Sequence, residues 1–161
     1  MHIEELKDFR NFAFLVHHYI GLPEPTPLQN EMALSLEDSP ERYCLQAFRG
    51  CGKSHLSALY ALWCLYWDPE EKILVVSATG KRAAEFVKFC KETILVCPFL
   101  EHMKPGTTQR DLAYSFDVHG CLPSQTPSLE AKGITSQITG SRATKIIGDD
   151  IEIATTVSVE A

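Results

Sequence analysis

Apolar residues recur at steps of three and four through Leu6, Phe9, Phe12, Ala13, Val16 and Ile20, which predicts an amphipathic helix over about 4–20. Gly21, Pro23, Pro25 and Pro27 then break the periodicity and predict an extended connector. Thr26 reads as the cap of a second helix, with Pro27 at its first position. Leu28, Met32, Leu34 and Leu36 run along that helix, and Ser39-Pro40 ends it. Residues 43–48 form a short, mainly apolar run that predicts a strand. A helix carrying Leu56, Leu59, Ala61, Leu62 and Leu65 follows, and stops near Asp68-Pro69. Residues 72–78 read Lys-Ile-Leu-Val-Val-Ser-Ala, a continuous apolar run of the kind found in the middle of a parallel sheet. A helix is predicted over 81–96. Residues 110–118 alternate through Leu112, Tyr114, Phe116 and Val118 as a strand does. The stretch 120–132 is turn-rich, and 133–139 is expected as the second strand of a hairpin-like pair. Residues 145–148 form a last short strand that ends in Asp149 and Asp150. Strands and helices in this order predict an α/β fold with a mainly parallel central sheet flanked by helices.

Composition narrows the classes. The chain has 161 residues, enough for about one domain. At 45% hydrophobic it holds material for a substantial core, which argues against wholesale disorder. The formal net charge is −6, so any contact with nucleic acid needs a local patch rather than the whole surface. No uninterrupted apolar stretch is long enough for a membrane span, and the first residues lack the pattern of a signal peptide. Six cysteines occur without a C-x-x-C pair and read as reduced, mostly buried thiols. The histidines lack metal-ligand spacing. His17 and His18, adjacent on a helix, read as surface residues.

The segment Ala47-Phe48-Arg49-Gly50-Cys51-Gly52-Lys53-Ser54 changes the picture most. It lies between an apolar run and a helix, the context of a phosphate-binding loop. Gly50 and Gly52 let the backbone N–H groups around Cys51 converge on phosphate oxygens, and the helix start adds partial positive charge. Lys53 would reach the β- and γ-phosphates of ATP, and Ser54 would ligate Mg²⁺. Ala47 stands where the common pattern has its first glycine. Downstream, Ile146-Ile147-Gly148-Asp149-Asp150 is an apolar strand ending in two carboxylates. Asp149 is the candidate metal ligand. Asp150, with Glu152 in reserve, is the candidate carboxylate that orients the attacking water.

Other side chains widen the candidate set. The amide of Gln29 offers a donor and an acceptor, which suits the edge of adenine. Arg49 lies inside the loop and is placed to sense the γ-phosphate. Arg142, shortly before the acidic strand, is a candidate arginine finger for a neighbouring subunit. Lys81, Arg82 and Lys88 form a basic patch at a helix start, either a contact for a DNA backbone or a solvated face.

Four segments in order closely resemble the large terminase subunit of short-tailed bacteriophages. They are Gln-Ala-Phe-Arg-Gly-Cys-Gly-Lys-Ser, Lys-Ile-Leu-Val-Val-Ser-Ala, Gly-Ile-Thr-Ser-Gln-Ile-Thr-Gly-Ser-Arg-Ala and Ile-Ile-Gly-Asp-Asp-Ile-Glu. The resemblance runs from about residue 8 to 153. It implies a P-loop ATPase that packages double-stranded DNA into a procapsid in the host cytoplasm, as a ring on the portal protein together with the small terminase subunit. It implies ATP and Mg²⁺ as cofactors. Gln29 then matches the adenine-reading position, Lys53 and Ser54 the phosphate and metal positions, and Asp149 the metal-binding carboxylate. Arg142 falls near the trans-acting finger, and Asp150 stands where a Glu is more usual. The family's large subunit is longer and carries a nuclease domain with its own acidic metal cluster, which this sequence lacks. The expectation is therefore the N-terminal part of an ATPase domain, truncated at its C-terminal end, with one sheet edge unpaired. The alternative is a nucleotide- or partner-binding fragment without hydrolysis of its own. A small-molecule kinase is disfavoured by the want of an arginine-rich lid.

Overall fold

The computed structural model describes residues 2–138 and 140–151. A 3-10 turn, Ile3–Lys7, leads into α1 (Phe9–Ile20) and α2 (Pro27–Glu37). Then follow α3 (Lys53–Trp67), β1 (Ile73–Ser77), α4 (Gly80–Val96) and a second 3-10 turn, Pro98–Met103. The last elements are β2 (Ser115–Phe116), β3 (Leu129–Gly133) and β4 (Lys145–Asp149). The four strands form one sheet in the order β2-β3-β1-β4. β1 is parallel to both β3 and β4, and only β2 runs antiparallel. The α/β architecture with a mainly parallel sheet is thus as the sequence predicts.

The first predicted helix is interrupted at Asp8. That residue leaves the helical region to cap α1, its carboxylate accepting from the Arg10 amide at 2.9 Å. At the other end Gly21, at φ +74°, bonds the carbonyl of His17. Phe9, Phe12, Ala13 and Val16 line the buried face of α1. Phe9 meets the rings of Tyr60 and Trp63 on α3, and Phe12 meets Tyr66 and Phe99. Trp63 donates back to the Leu6 carbonyl at 2.9 Å, which ties the N-terminal turn to the same helix.

The buried core lies against one face of the sheet. Ile73, Val75 and Ser77 of β1 and Leu129, Ala131 and Gly133 of β3 all point into it. On the opposite face Val76, Glu130 and Lys132 are part-exposed, and Ile146 of β4 is 68% exposed. Among the described residues the core helices α1, α3 and α4 pack on the face that Ile73 and Val75 present, while Leu74 is buried on the opposite one.

Three local expectations are corrected. Residues 43–48 form no strand. A strand exists through its ladder, and among the described residues no neighbour pairs with this segment. The expected strand over 110–118 shrinks to Ser115–Phe116, because the chain reverses in a tight turn that pairs Asp111 with Phe116. Its partner lies not at 133–139 but at Leu129–Gly133, inside the stretch read as turn-rich. Ala131 and Gly133 carry little strand propensity, so burial rather than residue type makes this a strand.

All six cysteines are free thiols. Cys51, Cys64, Cys90 and Cys97 are buried, and desolvation pushes Cys64 and Cys97 up to about 11. No described helix is long and apolar enough to cross a membrane.

Candidate functional site

The turn before α3 and the C-terminal ends of β1 and β4 come together at one end of the sheet. Gly50 and Gly52 both adopt left-handed backbone, at φ +89° and +90°, which L side chains rarely take. Their conformation turns the chain into Lys53, the first residue of α3. No side chain caps this helix, so its first N–H groups are open to an anion.

Gln29 braces the loop from α2. Its Oε1 accepts from the Thr26 amide at 2.9 Å, while Nε2 donates to the Cys51 carbonyl at 3.3 Å. Thr26 accepts in return from the Gln29 amide, completing a capping box. A Cβ placed on Gly52 would lie 2.8 Å from Gln29 Nε2, so the amide packs where only glycine leaves room. The side chain proposed for adenine thus already has a structural job.

Lys53 folds back along its own loop. Its ammonium donates to the carbonyls of Ala47 at 2.6 Å and Phe48 at 2.9 Å. The Ala47 and Phe48 carbonyls thereby gain a partner that a sheet would otherwise supply. One position on, Ser54 lies near enough to the Asp149 carboxylate to hold its pKa down. Packing of α3 against β4 brings the loop's helix to the end of that strand. Asp149 is half-buried, and that burial pushes its carboxyl above the usual carboxylate range, with Asp150 adding repulsion. The nearby Ser54 hydroxyl and the charges of Arg82 and Lys53 oppose the rise.

Asp150 takes a left-handed backbone, at φ +49°, and its carboxylate pairs with Arg82 at the start of α4. The basic patch of Lys81, Arg82 and Lys88 is consequently neutralised within the chain. Lys81 pairs with Glu85 and Lys88 with Glu92, one helical turn on, which favours the solvated-face reading. Arg49 is exposed and takes part in no ion pair among the described residues. Arg142 is exposed too, on the loop that returns to the start of β4. Thr144, two residues later, already lies beside Lys72 at the opposite end of the sheet from Asp149. Within one chain Arg142 is therefore not brought to Ser54 or Asp149. Glu152 lies outside the described residues.

Two features near the site escaped the sequence reading. His17 is buried rather than on the surface, because it faces α3 on the same side of α1 as Ala13 and Val16. Its Nδ1–H donates to the Pro23 carbonyl at 2.7 Å, so its Nε2 accepts from His55 Nε2–H at 2.9 Å. His55 follows the loop directly, and burial together with His17 pushes it down to about 4. Thirty-eight residues separate the pair in sequence, and no spacing rule links them. The second feature is Ser77. It is fully buried at the end of β1, in register with Asp149, and its hydroxyl has no partner.

Ser54 and Asp149 carry hard oxygen donors of the kind that Mg²⁺ takes. No group of three or more His, Cys, Asp or Glu side chains among the described residues forms a metal cluster of its own. A metal here would need further oxygens from a phosphate or water.

Comparison with known proteins gives a related sequence. The chain is 44% identical over 153 residues to a protein of Enterobacteria phage T3 named "Terminase, large subunit". The aligned region covers 94% of this chain and 26% of that protein, so the chain spans about a quarter of its relative. No protein-family model matches the chain.

Proposed function

We infer the function of this chain from its family: it belongs with the large terminase subunits of bacteriophages, matching part of one. Its role is in DNA packaging. The finer reading is that it is the nucleotide-handling, P-loop part of an ATP-driven motor that moves double-stranded DNA into a procapsid. One observation carries this: α3, which follows the phosphate loop, packs against β4, and Ser54 acts on the Asp149 carboxyl at the end of that strand. Both residues lie where a triphosphate with its metal would be gripped from two elements at once.

The residues then act as follows. The open N–H groups at the start of α3 bind phosphate oxygens. Lys53 leaves the Ala47 and Phe48 carbonyls and meets the β- and γ-phosphates, a swing of one flexible side chain. Ser54 and Asp149 hold Mg²⁺, which supplies charge neutralisation on the phosphates. Asp150 or Glu152 orients the attacking water, and Asp150 must first part from Arg82. Arg142 serves a neighbouring copy in a ring, since it does not reach its own site. Portal protein, small terminase subunit and the host cytoplasm follow from the family.

The test is DNA-stimulated ATP hydrolysis by the longer parent protein. Lys53→Ala is expected to abolish it, and hydrolysis unaffected by that change would refute the assignment. A second reading is favoured by the same geometry. With Lys53 turned onto its own loop and Asp150 held by Arg82, the isolated chain binds nucleotide without turning it over. Saturable ATP binding with no phosphate release, even at high protein concentration, is the outcome that supports this reading.

A further inference from the structure

The Ser77 hydroxyl is an exception in the core. It is completely buried yet has no hydrogen-bond partner, a state that costs about 1–3 kcal/mol. Buried hydroxyls are normally satisfied, so an orphan beside a site asks for an occupant. Its place is set by register. Ile73 pairs with Lys145, Val75 with Ile147 and Ser77 with Asp149. Paired residues of neighbouring parallel strands point to the same face and stand roughly 5 Å apart. Ser77 therefore faces the same side of the sheet as Asp149. On its other flank the partner is Gly133, where a Cβ would lie 2.7 Å from the Gly80 amide nitrogen. The backbone at Thr79 and Gly80 thus crowds that flank, and the register neighbour on the other is Asp149.

We propose that Ser77 is a positioning residue of the metal–nucleotide site: when the site is loaded, its Oγ–H donates to the Asp149 carboxylate oxygen not directed at the metal. This inference rests on the nucleotide reading of the site. A carboxylate that ligates a metal is held in orientation by a second hydrogen bond, and such outer partners change metal affinity by roughly tenfold or more. Once Ser54 ligates the metal, Ser77 supplies the second restraint and loses its own orphan state.

The experiment uses the chain itself, with a fluorescent ATP analogue titrated in Mg²⁺ and again in EDTA. Wild type, Ser77→Ala and Lys53→Ala are compared, each with a thermal melt without ligand. For Ser77→Ala the expected ligand-free melting temperature is unchanged or higher, because the variant deletes an unsatisfied group. Its binding in Mg²⁺ is expected to weaken about three- to tenfold, with binding in EDTA unchanged. A Mg²⁺-dependent affinity within twofold of wild type overturns the proposal. So does a lower melting temperature or a lost cooperative melt, since the hydroxyl would then be a structural bond of the free fold. If wild type binds nucleotide and Lys53→Ala does not, failure at Ser77 leaves the nucleotide reading standing. If wild type binds nothing, both fall together.

Discussion

At position 52 two demands meet on one residue. The backbone is left-handed at φ +90°, and Gln29 Nε2 occupies the space of a Cβ. Gly52→Ala would strain the backbone by about 1–2 kcal/mol and displace the Gln29 amide from the Cys51 carbonyl. The expected outcome is a loss of about 2 kcal/mol in a urea denaturation series. Gly50→Ala shares the backbone strain but meets nothing within 4 Å, so it should cost less. Equal costs at the two sites would show that Gln29 contributes nothing there. The His17–His55 pair makes a separate prediction. Burial and His17 hold His55 at about 4, against about 6.5 in an unfolded chain. Between those values the unfolded state binds the proton that the folded state refuses. Stability is thus fully present above about pH 6.5 and falls as the pH drops toward 4. The loss should be on the order of 2 kcal/mol, after allowing for the partial exposure of His55. Measuring denaturation midpoints for wild type and His55→Gln isolates the effect from carboxylate titration. The variant should show a flatter profile over that window, and identical profiles would remove His55 as the cause.

Among the elements, α2 shows how a helix end can serve a neighbouring loop. Thr26 caps it, Pro27 starts it, and Gln29 both completes the capping box and reaches the Cys51 carbonyl. Thr26→Ala should cost about 1 kcal/mol of stability in a chemical denaturation series. Nucleotide binding should change little, because the Thr26 backbone N–H that holds the Gln29 side chain survives the substitution. A clearly weakened nucleotide affinity in a folded Thr26→Ala chain would show that the hydroxyl, and not the backbone N–H alone, positions Gln29 on the loop. This cap was legible in the sequence, as were α1, α3, α4, β1 and β4. Each has either a strong period or a continuous apolar run, and each end carries a residue with a local reason to stop the element. What was not legible depends on partners distant in sequence. The run at 43–48 has strand composition, but composition does not supply a ladder. β3 has weak composition, yet its register with β1 buries Leu129, Ala131 and Gly133 in alternation. The loop residues 49–54 and the acid at 149 could be named from their motifs. Their proximity could not, nor could the capture of Asp150 by Arg82, because both follow from the β1–β4 pairing.

Across the whole molecule, the sheet is asymmetric. β1 is central and paired on both sides, whereas β4 pairs with β1 along one edge and has no partner on the other among the described residues. Ile146 projects from this strand on the face away from the core. Free N–H and C=O groups beside an exposed β-branched side chain form a template for adding another strand. Asp149 ends this same strand, so an added strand would also restrict Asp149. The chain alone should therefore self-associate as its concentration rises, and association should reduce its capacity for nucleotide. Ile146→Lys places a charge on the solvent face of the edge and leaves the core-facing Ile147 untouched. Sedimentation velocity over a concentration series should show a wild-type shift to larger species and a monomeric variant. If wild type stays monomeric at tens of micromolar, or the variant associates equally, the β4 edge is not the surface responsible.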